Sequence, residues 1–458
     1  MNTSFFQELM GSIAERGRAL VDRSATRPAG KGGRRTNQPE TLESLCRALV
    51  SGRGEASGVA LARQVLDLYA ASPVTTRVEF FRLLASAFDP ELAGIRRAFE
   101  AYQQGATPAN LQALLEAVEP PRQELLRRLN LAPGGTAALV AMREDLIKHG
   151  GKEAQLRKVD DDFAHLFGSW FNRGFLVLRP IDWSSPADML ERIIRYEAVH
   201  EIQGWDDLRR RVQPADRRCF GFFHPSLIDE PLIFVEVALT REIPASIQSL
   251  LAEERDILPA KEATTAVFYS ISNCQQGLRG VTFGNFLIKQ VVEELSRELP
   301  GLQTFVTLSP APGFAGWLDR AQADPAAAGL AGVDLAPLQV LREPVWHDDA
   351  AVAERLKPLL LGLAATYYLR AKGGGGKPID PVARFHLGNG ARLERLNWLG
   401  DVSPKGLREA HGLMVNYLYD LRFIEANHEA FANDGTIAAA KAVLQQLPAI
   451  QPAPETVA

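Results

Sequence analysis

AVFYSISNCQQGLRGVTFGNFLIKQVVEELSREL, residues 266–299, reads as a strand, a glycine-bearing loop and a helix in direct succession. AVFYSIS (266–272) is built from the β-branched and aromatic residues that strands favour. NFLIKQVVEELSREL (285–299) repeats apolar residues at three- and four-residue spacing, the period of an amphipathic helix. A strand that feeds a loop and then a helix N-terminus offers an anion its backbone N–H groups and the positive end of the helix dipole. Gly280 and Gly284 would let the backbone approach such a ligand closely. Arg279 and Lys289 could add charge. The same pattern also fits an ordinary strand-to-helix turn.

The pattern extends on both sides. GFLVLRP (174–180), FGFFHP (220–225), LIFVEVALT (232–240) and TFVTLS (304–309) are further strand-like runs, with helical runs such as AVAERLKPLLLGLAATYYL (351–369) between and after them. Strands alternating with helices imply a mixed α/β sheet. Upstream, residues 40–169 are helical throughout, in runs such as SGVALARQVLDLYA (57–70) and VEFFRLLASAF (78–88). Thr107-Pro108 looks like a helix cap followed by proline at the first helical position, and Gly150-Gly151 like a helix stop. The expected class is α+β in two domains, an all-α bundle over 40–169 followed by a mixed-sheet domain over 170–431. Residues 1–39 are expected to be a flexible N-terminal segment and 432–458 a flexible tail.

A net charge of −4 over 458 residues gives no case for nucleic acid or an anionic membrane, so a polyanionic ligand would need local basic groups. Cys46, Cys219 and Cys274 are too few and too widely spaced for a disulfide framework or a zinc site. No apolar run reaches the roughly 20 residues of a membrane helix. The opening segment is amphipathic and carries Glu8 and Glu15, unlike a secretory or transit signal, which favours a cytoplasmic location. Gly373 to Gly376 with Lys377 fails as a P-loop, because Ala371 and Pro378 stand where Gly and Ser/Thr are required.

Two further positions can carry chemistry. Ser309 ends a strand and opens Ser-Pro-Ala-Pro-Gly-Phe (309–314), at the kind of strand end where α/β proteins place ligands. Local pattern leaves open that it merely caps the next helix. His386 lies beside the turn Asn389-Gly390, and an imidazole placed so could act as a group titrating near neutrality or be structural. HExxH and GxSxG are both absent, which disfavours zinc peptidases and serine hydrolases.

Taken together, His224-Pro225-Ser226 with LIFVEVALT, SISNCQQGLRGVTFGNFLIKQVVEEL (270–295), LSPAPGF (308–314), FHLGNGARLERLNWLGDVSPKGL (385–407) and GLMVNYLYDL (412–421) resemble, in order, the malonyl-CoA decarboxylase family. The resemblance runs from about residue 40 to 425. It implies that the second domain is acetyltransferase-like. Arg279-x-x-Thr282-x-Gly284 is itself similar to the pyrophosphate loop of N-acetyltransferases, with Thr282 where that loop has its first Gly.

By the resemblance, Ser309 and His386 are the catalytic pair, and Arg279, Gly280, Val281, Thr282, Phe283, Gly284 and Asn285 form the acyl-CoA-binding segment. Tyr419 matches a tyrosine near the family's site, and Asn389 is a plausible orienter beside it. Some relatives carry an acidic residue where Thr282 stands, so no loop carboxylate is expected to act. The implied partner is the substrate malonyl-CoA, and the implied assembly is a homotetramer. The implied reaction yields acetyl-CoA and CO2 through a thioester enolate, with the thioester carbonyl as electron sink, so no metal and no organic cofactor is expected. An acyl-CoA-dependent N-acyltransferase and a non-catalytic acyl-CoA sensor are the rival classes.

Overall fold

A computed structural model of the chain describes residues 41–51, 55–151, 153–227, 229–281 and 287–448. The expected N-terminal segment 1–39 and positions Thr282 to Asn285 of the expected binding loop lie outside the described residues. The architecture is the expected one, a helical region followed by a mixed α/β sheet. By their contacts the residues form two compact units. One holds the chain up to Val177 with Phe223–Pro231 and Gln275–Phe283, and the other holds Leu178–Phe222, Leu232–Cys274 and the chain from Gly284 onward. Among the described residues, no helix is long and apolar enough to cross a membrane.

The first unit is built of helices from Leu42–Val50 to Ala154–Trp170. Thr41 and Ser44 close a reciprocal capping box at its start. Thr107 caps the helix Pro108–Val118, accepting from the Asn110 N–H at 3.2 Å, with Pro108 at the first helical position. Leu45, Val65, Phe81, Leu125, Leu139, Val159 and Phe167 form the buried side of these helices. The turn Gln276–Leu278, which the sequence assigns to the sheet domain, packs on the helix Gly135–His149 of this unit. The buried Arg143 guanidinium donates to the Gly277 and Arg279 carbonyls at 2.9 and 2.8 Å. A Cβ on Gly277 would stand 2.0 Å from the Val140 carbonyl oxygen, so only glycine permits this approach.

The second unit carries one mixed sheet. Its strands are β1 Val177–Ile181, β2 Arg217–Phe223, β3 Pro231–Thr240, β4 Thr265–Asn273, β5 Thr304–Thr307, β6 Ser309–Pro310, β7 Arg392–Asn397 and β8 Met414–Leu418. They lie in the order β1-β2-β3-β4-β5-β8-β6, with β7 also paired to β8. Strands β4 and β5 are parallel, joined through the helix Leu287–Glu298. Their pairing runs only from Thr265 opposite Thr304 to Phe268 opposite Thr307. After the Leu308 N–H reaches the Phe268 carbonyl, the two chains part. Ser270 to Asn273 then pair with β3 alone, while Ser309 and Pro310 turn to β8. A bulge at Glu236/Val237, opposite Tyr269, adds to the bend of β4 there. The sheet therefore opens a wedge between β4 and the end of β5.

The chain beyond 431 departs from the flexible tail expected of it. Helix Ile424–Asp434 continues past that point, Ala439 bridges Leu393 in parallel, and Val443 is buried. The edge of β7 supplies the reason, since its Leu393 exchanges N–H and C=O bonds of 2.9 and 2.8 Å with Ala438 and Ala440.

Candidate active site

The wedge holds a cavity of about 260 Å³ within the second unit. Val199, Ile233, Phe268, Ile271, Val382 and Phe385 give it apolar walls, and Ser309, His386 and Asn273 are among its polar lining.

Ser309 reaches this cavity because β6 pairs with β8, Ser309 standing opposite Val415. It does not cap the helix that follows, which begins at Phe314 with Gly313 in the cap position. Instead, the Ser309 hydroxyl donates to Thr307 Oγ1 at 2.9 Å and lies 3.2 Å from His386 Nε2.

His386 is carried by the helix Pro381–Gly388, which is fixed at both ends. Asp380, fully buried, caps its start by accepting from the Ala383 N–H at 2.7 Å, and Tyr367 donates to the same carboxylate at 2.9 Å. Asn389 ends the helix and returns its side-chain amide to the Phe385 carbonyl at 2.7 Å. The next residue, Gly390, has φ +82°, and a Cβ there would stand 2.1 Å from the Ile424 carbonyl oxygen. Asn389 thus ties off the last turn of the helix that carries His386.

The imidazole has a partner on each nitrogen. Nδ1 lies 2.8 Å from the Tyr419 hydroxyl. The ring stacks on Tyr417, with centroids 4.6 Å apart and planes 25° from parallel. Burial pushes the His386 pKa from 6.5 down to about 3, which corrects the expectation of a group titrating near neutrality. Desolvation opposes the imidazolium here, and among the described residues no carboxylate touches the ring to offset it. Burial also raises Tyr419 well above the ordinary phenol value, so both partners are neutral at physiological pH.

These bonds have one self-consistent direction. Ser309 gives its proton to Thr307, so its oxygen is free to accept Nε2–H. With the proton on Nε2, Nδ1 accepts from Tyr419. The arrangement can deliver a proton, or bind a carboxylate or enolate oxygen, in an apolar surround where such bonds are strong.

Sequence reasoning named Ser309, His386 and Tyr419, and they meet in one constellation. It missed Thr307 and Tyr417. Both lie two residues from a named position, and in a strand that spacing returns to the same face. Arg279, Gly280 and Val281 belong to the first unit, where Arg279 is exposed and Gly280 has φ +79°. Lys289, on the helix Leu287–Glu298, is ion-paired with Glu425.

Two family models match the chain. The malonyl-CoA decarboxylase N-terminal domain matches residues 88–171, and the C-terminal domain of the same family matches residues 174–456. The mitochondrial malonyl-CoA decarboxylase of Anser anser anser is 36% identical over 368 residues, covering 75% of this chain and 72% of its own. That of Mus musculus is 32% identical over 475 residues, covering 96% and 92%. The crystal structure of malonyl-CoA decarboxylase from Rhodopseudomonas palustris superposes with a TM-score of 0.85 at 61% identity, over 88% of this chain and 98% of that one. The one from Agrobacterium vitis gives 0.85 at 57% identity, over 89% and 100%.

Proposed function

The chain belongs to the malonyl-CoA decarboxylase family, and we propose that Ser309 and His386 are the pair with which it converts malonyl-CoA to acetyl-CoA and CO2. The decarboxylation itself follows from the family. The residues and the mechanism are our reading. One observation carries them, the 3.2 Å approach of Ser309 Oγ to His386 Nε2 beside an apolar cavity.

Loss of CO2 moves the electron pair of the breaking C–C bond into the thioester carbonyl and leaves an enolate. The protein must hold the carboxylate out of the carbonyl plane, stabilise the oxyanion and protonate the carbon. Ser309, its own proton given to Thr307, accepts the Nε2–H of His386 and holds that proton toward the malonyl group. His386 gives its Nε2 proton to the nascent carbon. Because the ring is neutral, Nδ1 takes the Tyr419 proton as Nε2 loses its own; before the next turnover Nδ1 returns that proton to the phenolate and solvent protonates Nε2. The apolar walls favour the spread-out charge of the enolate over the compact carboxylate.

The CoA phosphates lie along Arg279, Gly280, Val281 and the residues that follow to Asn285. Asn389 keeps the His386 helix in place. A helical domain over 40–169 belongs to the same proposal, followed by a catalytic domain that begins at 170 and includes the segment beyond 431 that pairs with β7. So do the homotetramer, which rests on the family resemblance, and the cytoplasmic location. Sedimentation and cell fractionation test these two.

Supplying malonyl-CoA with no acceptor tests the chemistry. Acetyl-CoA and CO2 should form in equal amounts, and Ser309→Ala should keep the fold while losing about 10²-fold or more in kcat. Turnover by Ser309→Ala near the wild-type value would remove Ser309 from the mechanism.

A further inference from the structure

We infer that Thr307 is a positioning residue that sets the direction of the hydrogen-bond chain through Ser309 and His386, and with it the tautomer of the imidazole. The inference rests on the Ser309–His386 reading above.

Thr307 is fully buried at the point where the β5–β8 ladder is interrupted. The register that pairs Val306 with Leu418 and Ser309 with Val415 sets Thr307 opposite Tyr417. A regular ladder would satisfy both with backbone groups. Here side chains take over. The Tyr417 N–H donates to Thr307 Oγ1 at 3.2 Å, and the Thr307 carbonyl accepts from Asn416 Nδ2 at 2.7 Å. Asn416 is held in turn by Asn397, whose amide donates to it at 2.8 Å. The threonine oxygen is thus locked in place by a backbone donor, and it still accepts from Ser309 at 2.9 Å.

That second bond has a consequence for His386. A serine hydroxyl has one proton, and Thr307 draws it away from the imidazole. Ser309 then meets Nε2 as an acceptor, which selects the Nε2–H tautomer and leaves Nδ1 to accept from Tyr419. Without Thr307 Oγ1, Ser309 is free to donate to Nε2. The proton then sits on Nδ1, facing Tyr419 and away from the cavity. Both tautomers are neutral and occupy the same space, so the loss falls on kcat and spares KM.

The test is a double-mutant cycle on the full-length chain with malonyl-CoA as substrate. Thr307→Val is isosteric and lacks the acceptor. It also leaves the Tyr417 N–H unpaired, so Thr307→Ala, which opens room for a water at that N–H, serves as a second variant. Thr307→Ser keeps the oxygen. We expect Thr307→Val and Thr307→Ala to lose at least ~10-fold in kcat with KM unchanged, in keeping with the dependence of a catalytic imidazole on its tautomer. Thr307→Ser should restore kcat to within about twofold, and in a Ser309→Ala background the Thr307 changes should have no further effect. Equal losses in both backgrounds would make Thr307 a structural residue and overturn the inference, as would wild-type kcat in both Thr307→Val and Thr307→Ala. Wild-type kcat in Ser309→Ala alone is a different failure, since it removes the reading on which the inference rests.

Discussion

The Nδ1 atom of His386 lies 2.8 Å from the hydroxyl of Tyr419, and burial keeps the phenol protonated and the imidazole neutral. A neutral imidazole that gives up a proton from one nitrogen needs a donor on the other, and Tyr419 is the donor within reach. Tyr419→Phe keeps the ring that packs beside Phe268 and removes only that donor. We predict a fall in kcat of ~10- to 10²-fold at nearly unchanged KM, at the low end of the span for a positioned acid because His386 itself remains. Steady-state kinetics check this. A variant with wild-type kcat would show that the tyrosine proton takes no part.

Burial of His386 also ties stability to pH. The unfolded ring takes up a proton as the pH falls below 6.5, whereas the native ring stays neutral down to about 3. The unfolded state therefore binds more protons throughout this window, and acid favours unfolding. The contribution of His386 is fully present above 6.5 and is lost progressively as the pH falls toward 3. Thermal melts across the window should fall less steeply for His386→Asn than for the wild type. Equal slopes would mean that the imidazole is solvated in the native protein. For the same reason, kcat should show no inflection near neutrality attributable to this histidine.

Arg279 is exposed, one residue before the left-handed Gly280, on a turn whose carbonyls Arg143 holds. If it meets a CoA phosphate, Arg279→Ala should raise KM by about five- to tenfold, the worth of roughly 1 kcal/mol for one charge-assisted contact. kcat should hold, and added salt should narrow the gap between variant and wild type. An unchanged KM at low salt would move the phosphate site elsewhere.

The elements with strong local signals were legible in the sequence. AVFYSIS and LIFVEVALT are long, buried and β-branched, and they became β4 and β3. The capped helix starting at Pro108 and the stop at Gly150 stood where Thr107 and the paired glycines indicated. β7 and β8 were harder to read. Leu393 and Leu396 in RLERLN repeat at a three-residue spacing that suits a helix equally well. MVNYL is short and buried at four of its five positions, so it shows no alternation.

The candidate site was legible in its protagonists and not in their surroundings. Local pattern left Ser309 and His386 open between chemistry and structure, and the family resemblance of LSPAPGF and FHLGNGA singled them out. Thr307 and Tyr417 touch them because β5, β6 and β8 share one register across more than a hundred residues of sequence separation, as the Tyr417-to-Thr307 bond records. The low pKa of His386 comes from desolvation by those same neighbours, and a linear motif does not encode it.

The account stands on His386 as the group that protonates the enolate carbon, and comparing binding with turnover in His386→Asn tests this most directly. Asparagine keeps a donor near the position of the imidazole, so calorimetry should give a malonyl-CoA Kd close to wild type. kcat for acetyl-CoA release should fall by ~10²- to 10⁴-fold. Weakened binding with wild-type turnover at saturation would contradict the account, because it would make His386 a residue that holds substrate and leave the proton to come from another group.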